Sequence, residues 1–209
     1  MANQDFTHGL LCDLLARHLG QVSIGDEPEY SDTMLANVDI QHNTIFSHAI
    51  ARFNYTTYDV RRDNDSINCK TTRRDIMLRA CDDSQHPFWY ARVFGIYHAN
   101  TYFGHTRRPE RVEFFFVRWF GLDPDWKGGP ASLRLDRIGW VPENDPSGAF
   151  GFVDPARVVR ACHLIPAFAH GKTTQLVRSS QTRDTLSGDW VNYYVSRLVL
   201  AVSGWLIYC

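Results

Sequence analysis

Three arginine pairs are the side chains in this sequence best suited to recognition chemistry: Arg61-Arg62, Arg73-Arg74 and Arg107-Arg108. Each falls in or beside a stretch rich in turn-forming residues, where a guanidinium can present its planar fork to a phosphate. The simpler reading of the same residues is solvated loop charge. A second group is aromatic. Trp89, Tyr90, Tyr97, Tyr102, Trp119 and Phe120 offer ring faces that could hold a methylated lysine by cation–π attraction, with Trp89, Tyr102 and Trp119 as the candidate cage. Core packing accounts for most of these rings more simply. Strand alternation sends Phe88 and Tyr90 to one face and Trp89 to the other, so not all of them are core.

Other motifs fail for want of a specific partner. Asp63-Asn64-Asp65-Ser66 opens like a calcium loop, but Ile67 takes the fifth position and no glycine follows, so a solvated turn is expected. His98 and His105 flank one loop, and His163 and His170 flank Pro166, with no acidic or cysteine partner at metal-ligand spacing. The five cysteines, Cys12, Cys69, Cys81, Cys162 and Cys209, include no C-x-x-C pair and read as isolated thiols. G-x-S-x-G, H-E-x-x-H, Walker A and G-x-G-x-x-G sequences are absent. The expectation is a protein that is not an enzyme and holds neither metal nor cofactor. Met1 to Asp5 lacks the basic and then apolar run of a secretory signal, which places the chain in the reducing nucleus or cytoplasm. The sequons at Asn54 and Asn64 then carry no glycan.

The elements that must position these residues are mostly strands. Residues 5–20 form a helix, with Asp5 or Thr7 as cap, Leu10, Leu11, Leu14, Leu15 and His18 at helical spacing, and Gly20 as stop. Residues 21–32 are acidic and turn-rich, an exposed connector. Strands are predicted at 45–58, 75–80, 88–97, 112–120 and 137–141, separated by polar turns at 61–72, 98–109 and 123–130. The pair 88–97 and 112–120 makes a hairpin whose long loop could carry function. Asp154-Pro155 opens a short helical turn, proline costing little at a first-turn position. Val158, Val159, Ala161, Leu164 and Ile165 then return to the core. Residues 173–189 read as a polar linker. The apolar run 198–208 is shorter than the about 20 residues a membrane helix needs.

Composition agrees with this outline. The chain has 209 residues, 44% hydrophobic and 22% charged, ordinary for a globular domain with extensions. Aromatics at 13% favour a small β-rich core built from large side chains. A formal net charge of −1 excludes a globally basic nucleic-acid binder while leaving room for a local basic face. The expected fold is mainly β: a small, partly open SH3-like or BAH-like barrel with an N-terminal helix and a short late helical turn. The expected divisions are 1–32 (helix and connector), 33–170 (barrel-like module) and 171–209 (polar linker and apolar tail).

Four stretches in order, 53–68, 87–95, 117–121 and 151–171, carry a resemblance. With them the chain resembles, from about Phe6 to Val199, the C-terminal region of transposon-encoded proteins of basidiomycete fungi, of the Plavaka type related to the CACTA group. The resemblance implies that an RNase H-like nuclease core with acidic metal ligands lies upstream, so no catalytic residue is carried over. Relatives continue past Asn192, Tyr193, Tyr194 and Val195 with a polar, charged tail. Here residues 200–209 are apolar, which reads as a truncated or shifted reading frame. The strand pair and the late turn are also similar to bromo-adjacent-homology and other SH3-like chromatin modules, an analogy of fold alone.

The leading expectation is thus a non-catalytic accessory module of a transposase-like protein, contacting DNA or chromatin through the arginine pairs. A second is a protein-interaction module docking other transposase domains through the first helix and the apolar tail. A third is a small hydrolase with a non-local site on His98, His105 or His163.

Overall fold

The structure, a computed structural model, describes residues 2–21, 30–56, 62–80, 86–129, 132–145, 148–173 and 189–196. Arg61, Cys81, Cys209, most of the expected linker and the apolar run 200–209 lie outside the described residues. The molecule is mainly β, with a large antiparallel sheet and an N-terminal helix, α1 (Ala2–His18). A single turn of helix, α2 (Asp32–Leu35), leads into the strands β1 (Val38–His48), β2 (Ala51–Thr56), β3 (Arg62–Ile67), β4 (Asp75–Arg79), β5 (Phe88–Phe103), β6 (Glu110–Leu122) and β7 (Arg137–Trp140). There follow β8 (Phe150–Val153), β9 (Val158–Ala161), β10 (His163–Pro166), β11 (Lys172–Thr173), β12 (Asp189–Trp190) and β13 (Asn192–Ser196).

Two long strands form the spine. β5 and β6 pair from Tyr90↔Phe120 to Thr101↔Glu110, and the outer side of each is shared by two strands in succession. β4 and then β1 line β5; β7 and then β8 line β6. The path runs β10-β13-β7-β6-β5-β4-β9, so β9 and β10 sit at opposite edges. They are nevertheless consecutive in the chain, joined only through Cys162, whose N–H donates to Asp75 O at 2.9 Å. One bent segment therefore closes the circuit covalently where ladder hydrogen bonds do not, giving a partly open barrel.

Alternation along the spine sorts the core. Ala91, Val93 and Val117 face outward with Ile76, Leu78 and Val153, where Ile67 of β3 joins them. Tyr90 and Phe120 face into the barrel with Met77, Ile138, Trp140, Leu164, Tyr193 and Val195. On the far half of the spine Leu10, Leu14 and Leu15 of α1 pack on Val38, Ala99, Phe103 and Phe114. The helix stripe is thus buried within its own chain. β13 is an inner strand of the sheet, between β10 and β7, so the barrel-like unit extends past residue 170 and takes in α1 at its other end.

The register shifts by one residue between Val93 and Gly95. Such a bulge bends and further twists the strand, here at the point where β5 leaves β4 for β1. Gly95 is required by close approach: a Cβ there would collide with the Tyr97 ring, which itself packs edge-on to Phe6 and beside Phe114. Gly95→Ala is expected to destabilise the fold by about 1–3 kcal/mol as the ring is displaced. A urea titration should show a lower midpoint with an unchanged slope.

The helical turn after Asp154 is a 3-10 turn, Pro155–Arg157, capped by Asp154 Oδ1, which accepts from Ala156 N at 2.8 Å. Two predicted loops are largely strand. The stretch 98–103 continues β5, and 62–67 forms β3, paired throughout with β2.

Candidate nucleic-acid interface

β2 and β3 form a separate two-stranded ribbon, with Ala51 opposite Ile67 and Thr56 opposite Arg62. Alternation gives its two faces different chemistry. Inward, Phe53 meets Phe115 edge-on at 5.8 Å and Ile67 is fully buried. Asp65 also turns inward, accepting from Arg160 Nε and from Ala161 N, each at 3.2 Å. Outward stand Arg52, Asn54, Arg62 and Asn64, all exposed, with Ser66 half-buried. Asn54 and Asn64 are direct cross-strand partners. The described residues place no carboxylate on this outer face, because Asp63 and Asp65 occupy the alternate positions.

A tight turn extends the basic surface. Asn68 N donates to Arg73 O at 2.8 Å and Lys70 N to Asn68 Oδ1 at 2.9 Å, which leaves Lys70 and Arg73 exposed. Arg74 is half-buried, and its carbonyl accepts from Val93 N at 2.8 Å, fixing the turn to β5. Beside the ribbon lies a groove of about 460 Å³, lined by Asn64, Ser66, Arg73, Arg160 and His163 among others. Amide, hydroxyl, imidazole and guanidinium groups, with the Asp65 carboxylate held by Arg160, thus converge where the ribbon meets the bend of β9 and β10.

The arginine pairs do not form one patch. Arg62, Arg73 and Arg74 belong to the ribbon and its turn, and Arg61 lies outside the described residues. Arg107 and Arg108 are exposed in the turn between β5 and β6. That turn follows Phe103, ten residues beyond Val93 on the same strand, or roughly 30 Å along it at strand rise. Arg52 and Lys70, which the sequence reading passed over, take their place.

The proposed cage of Trp89, Tyr102 and Trp119 is corrected in the same way. Trp89 and Trp119 meet edge to face at 5.8 Å, against the outer apolar cluster. Tyr102 lies on the other half of β5, where its hydroxyl accepts from Gln41 Nε2 at 3.3 Å. The rings that do surround a cation are Phe120, Trp140 and Tyr193, at 5.5, 4.9 and 5.2 Å from the guanidinium carbon of Arg92. This box is filled by the chain itself. Arg92 donates to both oxygens of Asp75, at 2.7 and 3.2 Å, and to Asp189 Oδ1 at 3.2 Å. Burial opposes its charge, but Asp75 above all, then Tyr193 and Asp189, hold its pKa above the ordinary guanidinium value. Directly across the ladder, Arg118 is fully buried over Trp140 and Phe150.

The histidines expected to converge in a hydrolytic site stand apart: His98 is on β5, His105 in the β5–β6 turn, and His163 on β10. A histidine–carboxylate contact does occur elsewhere. His86 Nε2 lies 3.2 Å from Asp136 Oδ2, which also accepts from the Tyr90 hydroxyl at 3.4 Å. His86 Nδ1 is 2.7 Å from Phe88 O, so both ring nitrogens brace the start of β5.

Cys12, Cys69 and Cys162 are not in disulfide bonds. Burial pushes the Cys69 thiol up, and burial reinforced by Asp75 pushes Cys162 well above the ordinary cysteine value. Since the thiolate is the reactive form, iodoacetamide at about pH 8 should leave both unmodified in the native protein. Both should be labelled once urea unfolds it, which peptide mass mapping will read.

No helix among the described residues is long and apolar enough to cross a membrane. Comparison with protein-family models, curated proteins and solved structures finds no match. What fold and site define together is a class: a mainly β, partly open barrel that carries a polar two-stranded ribbon with its arginines on one face.

Proposed function

We propose that this chain is a non-catalytic module that contacts nucleic acid through the outer face of the β2–β3 ribbon. The observation that carries the reading is the alternation that puts Arg52, Asn54, Arg62 and Asn64 on one face and both ribbon carboxylates, exposed Asp63 and half-buried Asp65, on the other. The major groove of B-form DNA, about 12 Å wide, admits a two-stranded ribbon, and within it arginine pairs with guanine and asparagine with adenine. Lys70 and Arg73 flank the ribbon as phosphate contacts, which position without reading sequence. The net charge of −1 does not oppose this, because the field that steers a polyanion is local.

With the resemblance to transposon-encoded proteins, the module is an accessory part of a transposase-like protein, working on DNA or chromatin in the nucleus. Fluorescence anisotropy with a labelled duplex, repeated at several salt concentrations, tests it. Binding should weaken steeply as salt rises, because phosphate contacts release counterions. No binding at about 50 mM salt, or binding indifferent to salt, would overturn the proposal.

A further inference from the structure

A pair of histidines on the far half of the spine has no part in the ribbon. His48 of β1 and His98 of β5 bring Nε2 and Nδ1 to 2.6 Å, their ring centroids 4.9 Å apart and their planes inclined by 27°, so the two rings meet end to end. Phe46 stacks on a face of His98 at 4.7 Å and 11°, which restrains the plane of the His98 ring. The pair lies at the surface, where the core does not demand it. On the neighbouring strand Glu113 stands directly across the ladder from His98 and pairs with Arg111 at 2.9 Å.

We infer that His48 and His98 form an open, two-imidazole site for a first-row divalent transition metal. Two nitrogens bound tetrahedrally at about 2.0–2.1 Å stand roughly 3.3 Å apart. The observed pair therefore has to open by less than about 1 Å, and each ring axis has to turn by roughly 35° so that both lone pairs meet at the metal, a rotation open to side chains at the surface. In the metal-free pair one ring donates its N–H to the other. On binding, that ring keeps its proton by moving it to its second nitrogen, and both facing lone pairs go to the metal. Among the described residues no cluster of three or more candidate ligands occurs. Water therefore completes the coordination, and the order of affinity follows imidazole preference, with copper above nickel and zinc.

Nickel suits the test, being paramagnetic in aqueous sites and unreactive with free thiols as an oxidant. Substoichiometric nickel chloride added to tag-free, nitrogen-15-labelled protein should first broaden the amide signals of residues 46–48 and 97–99. His48→Ala and His98→Ala should each abolish that selective broadening and weaken calorimetric affinity at least about tenfold. His105→Ala should change neither. Broadening centred on other residues, or retained in both variants, would overturn the assignment. Should either variant fail to fold, the wild-type pattern still decides.

Discussion

Arg92→Met is expected to destabilise the protein by about 3–5 kcal/mol, the cost of leaving buried charge without its partner. Asp75 and Asp189 are each less than a tenth exposed, and Arg92 bridges them inside the barrel. Without it two carboxylates face each other in a low-dielectric interior, and the three rings lose the cation they enclose. Typical domains have only about 5–15 kcal/mol of stability, so this one change approaches the folding limit. The triple variant Arg92→Met, Asp75→Asn, Asp189→Asn should recover much of the loss, because neither carboxylate is then left buried without its guanidinium partner. Urea midpoints measure both. A cost below about 1 kcal/mol for Arg92→Met would contradict the account of the barrel interior.

The second large effect is expected in binding. Arg52→Ala with Arg62→Ala should leave stability within about 0.5 kcal/mol, since both side chains are exposed. DNA affinity should fall by about 1–3 kcal/mol for each arginine that reads a base. A guanidinium that instead meets a phosphate should lower the salt slope by about one. Arg107→Ala with Arg108→Ala removes the same formal charge from the β5–β6 turn and should change little. Equal losses in both double variants would mean that the protein responds to net charge and has no particular contact face.

The sequence discloses what is carried by locally dense apolar pattern. Val112, Phe114, Phe115, Phe116, Val117 and Phe120 could only be strand, and Leu10, Leu14 and Leu15 only helix. The proline behind Asp154 marks its turn as plainly. β3 is hidden because Arg62 to Ser66 is wholly polar: its strand character comes from pairing with β2, and one face needs no apolar side chain. The second half of β5 is hidden in the same way, since His98, Asn100 and Thr101 become strand by pairing with β1 and β6 on either side. The Arg92 box draws on Asp75, Phe120, Trp140, Asp189 and Tyr193, which only the closed circuit brings together. As for the proposed interface, three of the six arginines named from sequence, Arg62, Arg73 and Arg74, belong to the ribbon and its turn, while Arg52 and the asparagine pair become visible only with the ribbon's register.

The most direct measurement is an amide chemical-shift footprint of the nitrogen-15-labelled protein titrated with a short DNA duplex at low salt. The account places the perturbations at 51–54 and 62–74, with smaller changes at Arg160 and His163 along the groove. A footprint confined to the turn at 104–109, or spread evenly over the surface, would contradict it.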